Sequence, residues 1–189
     1  MKKVITLLLI AAFCLVLSAC GSKTNDAENT SQPEQSQAEI TSLQAKRTAK
    51  DGAQIQTDDK SMPTRLPMEG GTKINMYFGD TLVTGVLNDS ETAKALIAKL
   101  PMTQTVSRYS HDFCGVTESL PYNEDEVHYG WLNGDIDYAI DAPYFTILFE
   151  DEEKSEQYGN QVNIGVITCP IETIANLDGS FDVRIELAE

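Results

Sequence analysis

Ser110-His111-Asp112 lines up a nucleophile, a base and an acid, the residue types of a hydrolytic triad. Neighbours on an extended segment point to opposite faces, however, and a triad needs its side chains to converge. No Gly-x-Ser-x-Gly elbow occurs in the chain, so hydrolysis is not the expected chemistry. Asp135 and Asp137 would share one strand face about 7 Å apart, a spacing at which two carboxylates can act as acid and base on a glycoside. With apolar Ile136 and Tyr138 opposite them, they read as two solvent-facing acids. Arg108 with Phe113 could serve a different reaction. A guanidinium near a prolyl nitrogen, beside an apolar pocket for the ring, weakens the amide resonance behind a barrier of about 20 kcal/mol. The competing reading of Arg108 is an exposed arginine paired with one of many carboxylates.

Metal chemistry finds little support. Asp135, Asp137 and Asp141 lack the spacing and sixth-position glycine of a calcium loop. His111 and Cys114 are close in sequence, but the chain has only two histidines and no Cys-x-x-Cys. Neither a metal site nor a cofactor is expected. Aromatic residues at predicted loops and strand ends are the best hint of binding, with Tyr109 and Trp131 the preferred ligand-binding candidates.

These residues sit behind a long N-terminal preamble. Lys2-Lys3 precede the apolar run Val4–Leu17, fourteen residues, too short for a hydrocarbon core that needs about 20. Small residues then lead to a cysteine, Leu17-Ser18-Ala19-Cys20, which resembles the lipobox of bacterial lipoproteins. That resemblance implies a signal peptide over 1–19 and a lipid-modified Cys20. It also implies a protein held on the extracytoplasmic side of the cell membrane by two or three acyl chains, where one chain alone would anchor only marginally. The chain carries 14 Lys+Arg against 29 Asp+Glu, net −15, and cleavage after residue 19 removes two lysines and no acid. Such a surface repels nucleic acid and anionic headgroups, so nucleic acid is not an expected partner. Of the four cysteines, Cys114 and Cys169 remain for the exported domain. They could be bridged, adding roughly 3–4 kcal/mol through a long loop, or be two separate buried thiols.

Residues 20–71 read as the lipidated cysteine and a flexible linker. They are polar, lack aromatics, and hold only isolated apolar residues such as Ile40, Leu43, Ile55 and Leu66, too sparse to offset the entropy of ordering. Residues 72–189 form one domain of ordinary size. Ile74, Met76 and Phe78 alternate with polar neighbours, and Gly79-Asp80 turns the chain into Thr81–Leu87. Asp89 is the expected cap of a helix carrying Ala93, Leu96, Ile97 and Leu100, which Pro101 stops. Met102–Ser110 extends, Val116–Leu120 is a weaker strand, and 121–130 is irregular. Asn133-Gly134 is read as a hairpin turn before Ile136, Tyr138 and Ile140. Tyr144–Phe149 and Val162–Val166 are strands with a charged loop between them. Pro170 opens a short helix, and Phe181, Val183, Ile185 and Leu187 alternate in the last strand.

This order suits a mainly β fold, a closed antiparallel barrel capped by two helices. Tyr77-Phe78-Gly79-Asp80-Thr81, Leu100-Pro101-Met102-Thr103, Asn133-Gly134-Asp135-Ile136 and Ile164-Gly165-Val166-Ile167 together resemble the bacterial cyclophilin-like domain family over about 72–189. The resemblance implies a cyclophilin-type barrel but no single shared activity. True cyclophilins are prolyl isomerases with an arginine, a phenylalanine five residues on and a glutamine three beyond. Arg108 and Phe113 match the first two, while Val116 stands in the glutamine's place and Ser107 in that of the preceding histidine. The expected function is thus a tethered binding or accessory module for a peptide or small molecule, with prolyl isomerisation of exported chains as the alternative.

Overall fold

Residues 46–189 are described by the computed structural model, so the signal segment, Cys20 and the first part of the expected linker lie outside the described residues. Eight strands close into an antiparallel barrel: β1 (Thr72–Phe78), β2 (Thr81–Leu87), β3 (Met102–Arg108), β4 (Asp112–Val116), β5 (Asp135–Ala139), β6 (Tyr144–Leu148), β7 (Gln161–Ile167) and β8 (Ser180–Leu187). Around the barrel they run β1-β2-β7-β5-β6-β4-β3-β8, and β8 pairs with β1 to complete the ring. Two short helices, α1 (Glu91–Ile97) and α2 (Ile171–Ala175), and two 3-10 turns occupy the connections.

The inward face of each alternating strand supplies the core. Ile74, Met76 and Phe78 of β1 meet Val183 and Ile185 of β8, and Phe78, Phe113 and Phe181 pack edge-to-face with centroids 5.3–5.7 Å apart. Each large side chain buried this fully contributes about 1.5–3 kcal/mol. Local corrections are small but have causes. The cap of α1 is Ser90 rather than Asp89, its hydroxyl accepting from the Ala93 amide at 3.1 Å, while Asp89 stays exposed. β4 begins at Asp112, several residues before the expected Val116–Leu120 strand, because Phe113 enters the core and Cys114 and Gly115 pair with β6. Asn133-Gly134 is not a hairpin turn. Trp131 and Leu132 form no strand, and the turn instead closes through the Asp135 amide on the Leu132 carbonyl.

The larger correction concerns the linker. Residues 46–71 are not a free spacer but a strap laid on the barrel. Backbone bonds join Ala49 N–H to Tyr129 O and Tyr129 N–H to Arg47 O, both 2.9 Å, and Thr64 N–H to Asn133 O at 2.8 Å. Within the strap, Ile55 pairs with Arg65 in a short antiparallel bridge. Gly134 lets it come close: its φ is +100°, and a Cβ there would stand 2.5 Å from Pro63 Cβ. The strap buries little carbon, chiefly Ala49 and Pro63. What holds it is polar. Arg65 Nε and Nη2 donate to the two carboxylate oxygens of Asp135 at 2.6 and 2.9 Å, and Nη2 also reaches the Ala49 carbonyl at 2.9 Å. Asp135 is wholly buried and Arg65 nearly so.

Truncating one member of a buried, bidentate pair leaves the other charge unpaired, a loss of about 3–5 kcal/mol. Arg65→Leu should therefore lower the denaturant midpoint by that order. Adding Asp135→Asn to it should recover part of the loss, because the stranded charge is then gone. Equal stabilities for wild type and Arg65→Leu in denaturant titrations would refute this role.

Candidate functional site

β5 carries two carboxylates outward, and neither meets solvent: Asp135 and Asp137 are both 0% exposed. The alternation predicted from the sequence is right and the predicted exposure is wrong, because the strap and the segment running through His128 cover that outer face. Asp135 is satisfied as an ion, with Arg65 on both oxygens and the Leu132 amide on Oδ2 at 2.9 Å. Asp137 is not. A bulge in the β5–β7 register sets Asn163 opposite it, re-aiming that side chain as bulges do. Asn163 Nδ2 donates to Asp137 Oδ1 at 2.9 Å, while Oδ2 has no partner. Burial first, then the neighbouring Asp135 charge, push the Asp137 carboxyl up to about 8. One strand thus holds an ionised and a neutral acid two residues apart.

Between strap and barrel lies a cavity of about 310 Å³. On the strap side it is bounded by residues 47–49, Asp51, Gly52 and Arg65, and on the barrel side by Asn88–Ser90, Glu126, His128 and Asn163. A second hollow of about 440 Å³ shares Gly52, Arg65, Asn88 and Asn163 with it and continues between Leu66–Glu69 and Val86, Gly165 and Val166. Gly165 admits the close approach of β7 and β2 here, since a Cβ would sit 2.5 Å from the Val86 carbonyl oxygen. Asn88 Nδ2 donates to the Asn163 carbonyl at 2.8 Å, tying the loop before α1 to the same wall.

His128 is the exceptional residue of this lining. It is 5% exposed, yet among the described residues neither ring nitrogen has a partner in hydrogen-bond geometry, although the Tyr129 and Gly130 backbone lies close to the ring, and Glu126 Oε2 is likewise buried and unpartnered. Burial lowers the imidazole's affinity for a proton, so at neutral pH the ring offers one donor and one acceptor. Buried polar atoms are satisfied in the great majority of cases. A cluster of unsatisfied ones beside a cavity is what a binding site looks like.

The residues singled out from the sequence fare differently. Arg108 is consumed by structure. Its Nη1 donates to the carbonyls of Ala175 and Leu177 at 2.7 and 3.0 Å, its Nε to Tyr109 O at 2.9 Å, and its guanidinium lies 4.5 Å over Phe149. Phe113 is wholly buried in the core, so the pair presents no groove for a prolyl ring. Trp131 is buried rather than open to a ligand: its ring stacks on His111 at 4.7 Å and Tyr158 at 5.5 Å, and its Nε1 donates to Glu150 O. Tyr109 is exposed and lies outside the cavity lining. Ser110 Oγ is 3.0 Å from His111 Nδ1, but no hydrogen bond joins Asp112 to the imidazole. Cys114 and Cys169 are both free thiols. Burial and the nearby Asp112 raise the Cys114 thiol to about 12.

Arg65 and His128 were missed. The signals were present but weak: Arg65 stands between Pro63 and Pro67, which favour an extended chain, and His128 follows the acidic run Glu124-Asp125-Glu126. The two residues are distant in sequence, and the fold brings them to one hollow.

A family model described as the cyclophilin-like family matches residues 76–186. Among solved structures, the solution structure of the hypothetical protein AF2241 from Archaeoglobus fulgidus superposes with a TM-score of 0.52 at 18% identity, covering 62% of this chain and 95% of that one. At that identity the likeness is one of fold. No curated protein sequence matches.

The Asp137 arrangement has a consequence for stability. Its carboxyl holds a proton in the folded state over a range where the unfolded chain, with an ordinary aspartate near 3.8, has lost it. The folded state thus binds more protons, and this group's contribution falls as pH rises from about 4 to 8. Asp137→Asn keeps the acceptor for Asn163 and removes that titration. Relative to wild type, its unfolding free energy should climb steadily across this window in denaturant titrations. Parallel profiles would mean that Asp137 is not held protonated.

Proposed function

We propose, for a chain that belongs to the cyclophilin-like family, that it is a lipid-anchored, extracytoplasmic binding module whose ligand enters the cavity between strap and barrel. The observation that carries the reading is His128, buried at the cavity wall with neither ring nitrogen partnered. Around it, Glu126 offers an unpaired oxygen and Asn163 links the wall to the neutral Asp137. Donors and acceptors are thus already desolvated and fixed, so a ligand that satisfies them need not order them on binding. Fold alone would not select this function; the unpartnered atoms at the cavity wall are what favour it. Prolyl isomerisation is the less favoured reading, because Arg108 spends its donors on Ala175, Leu177 and Tyr109. The tether rests on Leu17-Ser18-Ala19-Cys20 and the apolar run before it.

The chain has two histidines, which gives the cavity an internal control. With ring-labelled histidine in the full chain, carried in detergent micelles, cavity ligands should move the His128 ring resonances and leave those of His111 in place. A broad panel of polar small molecules that never moves His128 apart from His111 would overturn the binding reading.

The anchor is tested separately. Labelled fatty acid should enter the wild-type protein and not Cys20→Ala. Label retained by the variant would overturn the tether.

A further inference from the structure

The composition of the connected cavity narrows what it can hold. Its free charges are mostly acidic. Asp51, Asp89 and Glu126 line the His128 lobe, and Glu69 lines the other lobe. Of the two cations, Arg65 is neutralised by its bidentate pairing with Asp135, while Arg47 donates to the Asp125 carbonyl oxygen and keeps its charge, leaving the His128 lobe, among the described residues, with one free cation against three carboxylates. In that second lobe Leu66, Met68, Val86 and Val166 supply apolar lining. An anion placed beside Glu126 would face three carboxylates within a chain of net charge −15. A metal ion would need several ligands converging, and no group of three or more His, Cys, Asp or Glu side chains is so placed among the described residues.

An organic ammonium fits both lobes. It carries three donors and no acceptor, and the buried atoms awaiting partners include the acceptor Oε2 of Glu126 and the lone pair of a neutral His128. A charge-assisted bond to a carboxylate oxygen sheltered from water, as Glu126 Oε2 is, is among the stronger hydrogen bonds available. Methylenes following the nitrogen would lie along Met68, Val86 and Val166, and a second ammonium would meet Glu69 in that lobe. We infer that the cavity binds a small aliphatic amine, with its ammonium held by Glu126 and His128 and its carbon chain along the Leu66–Val166 lobe. This inference rests on the binding reading above and specifies its ligand class.

Three five-carbon compounds that differ only in their ends test it: cadaverine, 1,5-pentanediol and glutarate, each titrated into the full chain with labelled histidine. Cadaverine should shift the His128 resonances saturably, while the diol and the diacid should leave them in place. Glu126→Gln should weaken cadaverine binding at least tenfold. Asp89 is exposed, so Asp89→Asn is the variant whose folding is least at risk, and it should weaken binding by a smaller factor. Unchanged His111 resonances report that each variant has folded. Glutarate binding as tightly as cadaverine, or cadaverine binding unaffected by both substitutions, overturns the amine assignment. If other compounds move His128 and cadaverine does not, the amine fails and the binding module stands. If nothing moves His128, both fail.

Discussion

Asp135 is an ion placed where water does not reach, and most of what is distinctive in this molecule follows from the way it is compensated. An isolated carboxylate in a barrel wall would cost several kcal/mol of lost hydration. Here the compensation comes from a residue seventy positions earlier, Arg65, on a segment with almost no apolar content of its own. The ion pair therefore has two effects. It makes a charge tolerable on β5, and it fastens a polar strap that hydrophobic burial alone would not retain. The cavity depends on that fastening, because one of its walls is the strap.

The same charge sets the state of its neighbour. Asp137 lies two residues along the same face, also without solvent, and has an amide rather than a guanidinium as partner. Two carboxylates so close cannot both ionise cheaply, and the one with the cation wins. The difference lies in surroundings, not in residue type: an Arg–carboxylate fork on one side, a bulge that presents Asn163 on the other. Arg65 and Asn163, which hold these two acids, are themselves lining residues of the hollows beneath the strap, so the buried acids stand directly behind that wall.

Much of the barrel was legible because its information is local. β1, β2 and β8 alternate cleanly, Gly79-Asp80 marks a turn, and period two delivers the correct inward set. The strap was illegible for the converse reason. Its order comes from backbone pairing with Tyr129 and Asn133 and from one ion pair, and none of these leaves a hydropathy pattern. Asp135 and Asp137 were assigned to the right face, but what covers that face is remote in sequence, so they read as exposed. Arg108 shows a further limit. Its position after the first helix fits a family expectation, yet its bonds to Ala175 and Leu177 cap the end of α2 instead. A residue type at a familiar position says what could be done there, and its partners say what is done.

The division between barrel and strap bears on where specificity can arise. The family match begins at residue 76 and ends at 186, so it contains β5, β7, Glu126 and His128 but none of residues 47–69, which form the facing wall of the cavity. The barrel supplies a rigid floor whose core would tolerate little change in volume. The strap, held by few contacts and burying little carbon, can change its side chains at little cost to the fold, provided that an arginine still reaches Asp135. Under that constraint the floor, with His128 and Asn163, can be kept while the facing wall is rewritten. On the binding reading proposed above, the family segment supplies the anchoring side chains Glu126 and His128, and the strap can vary only the wall that faces them.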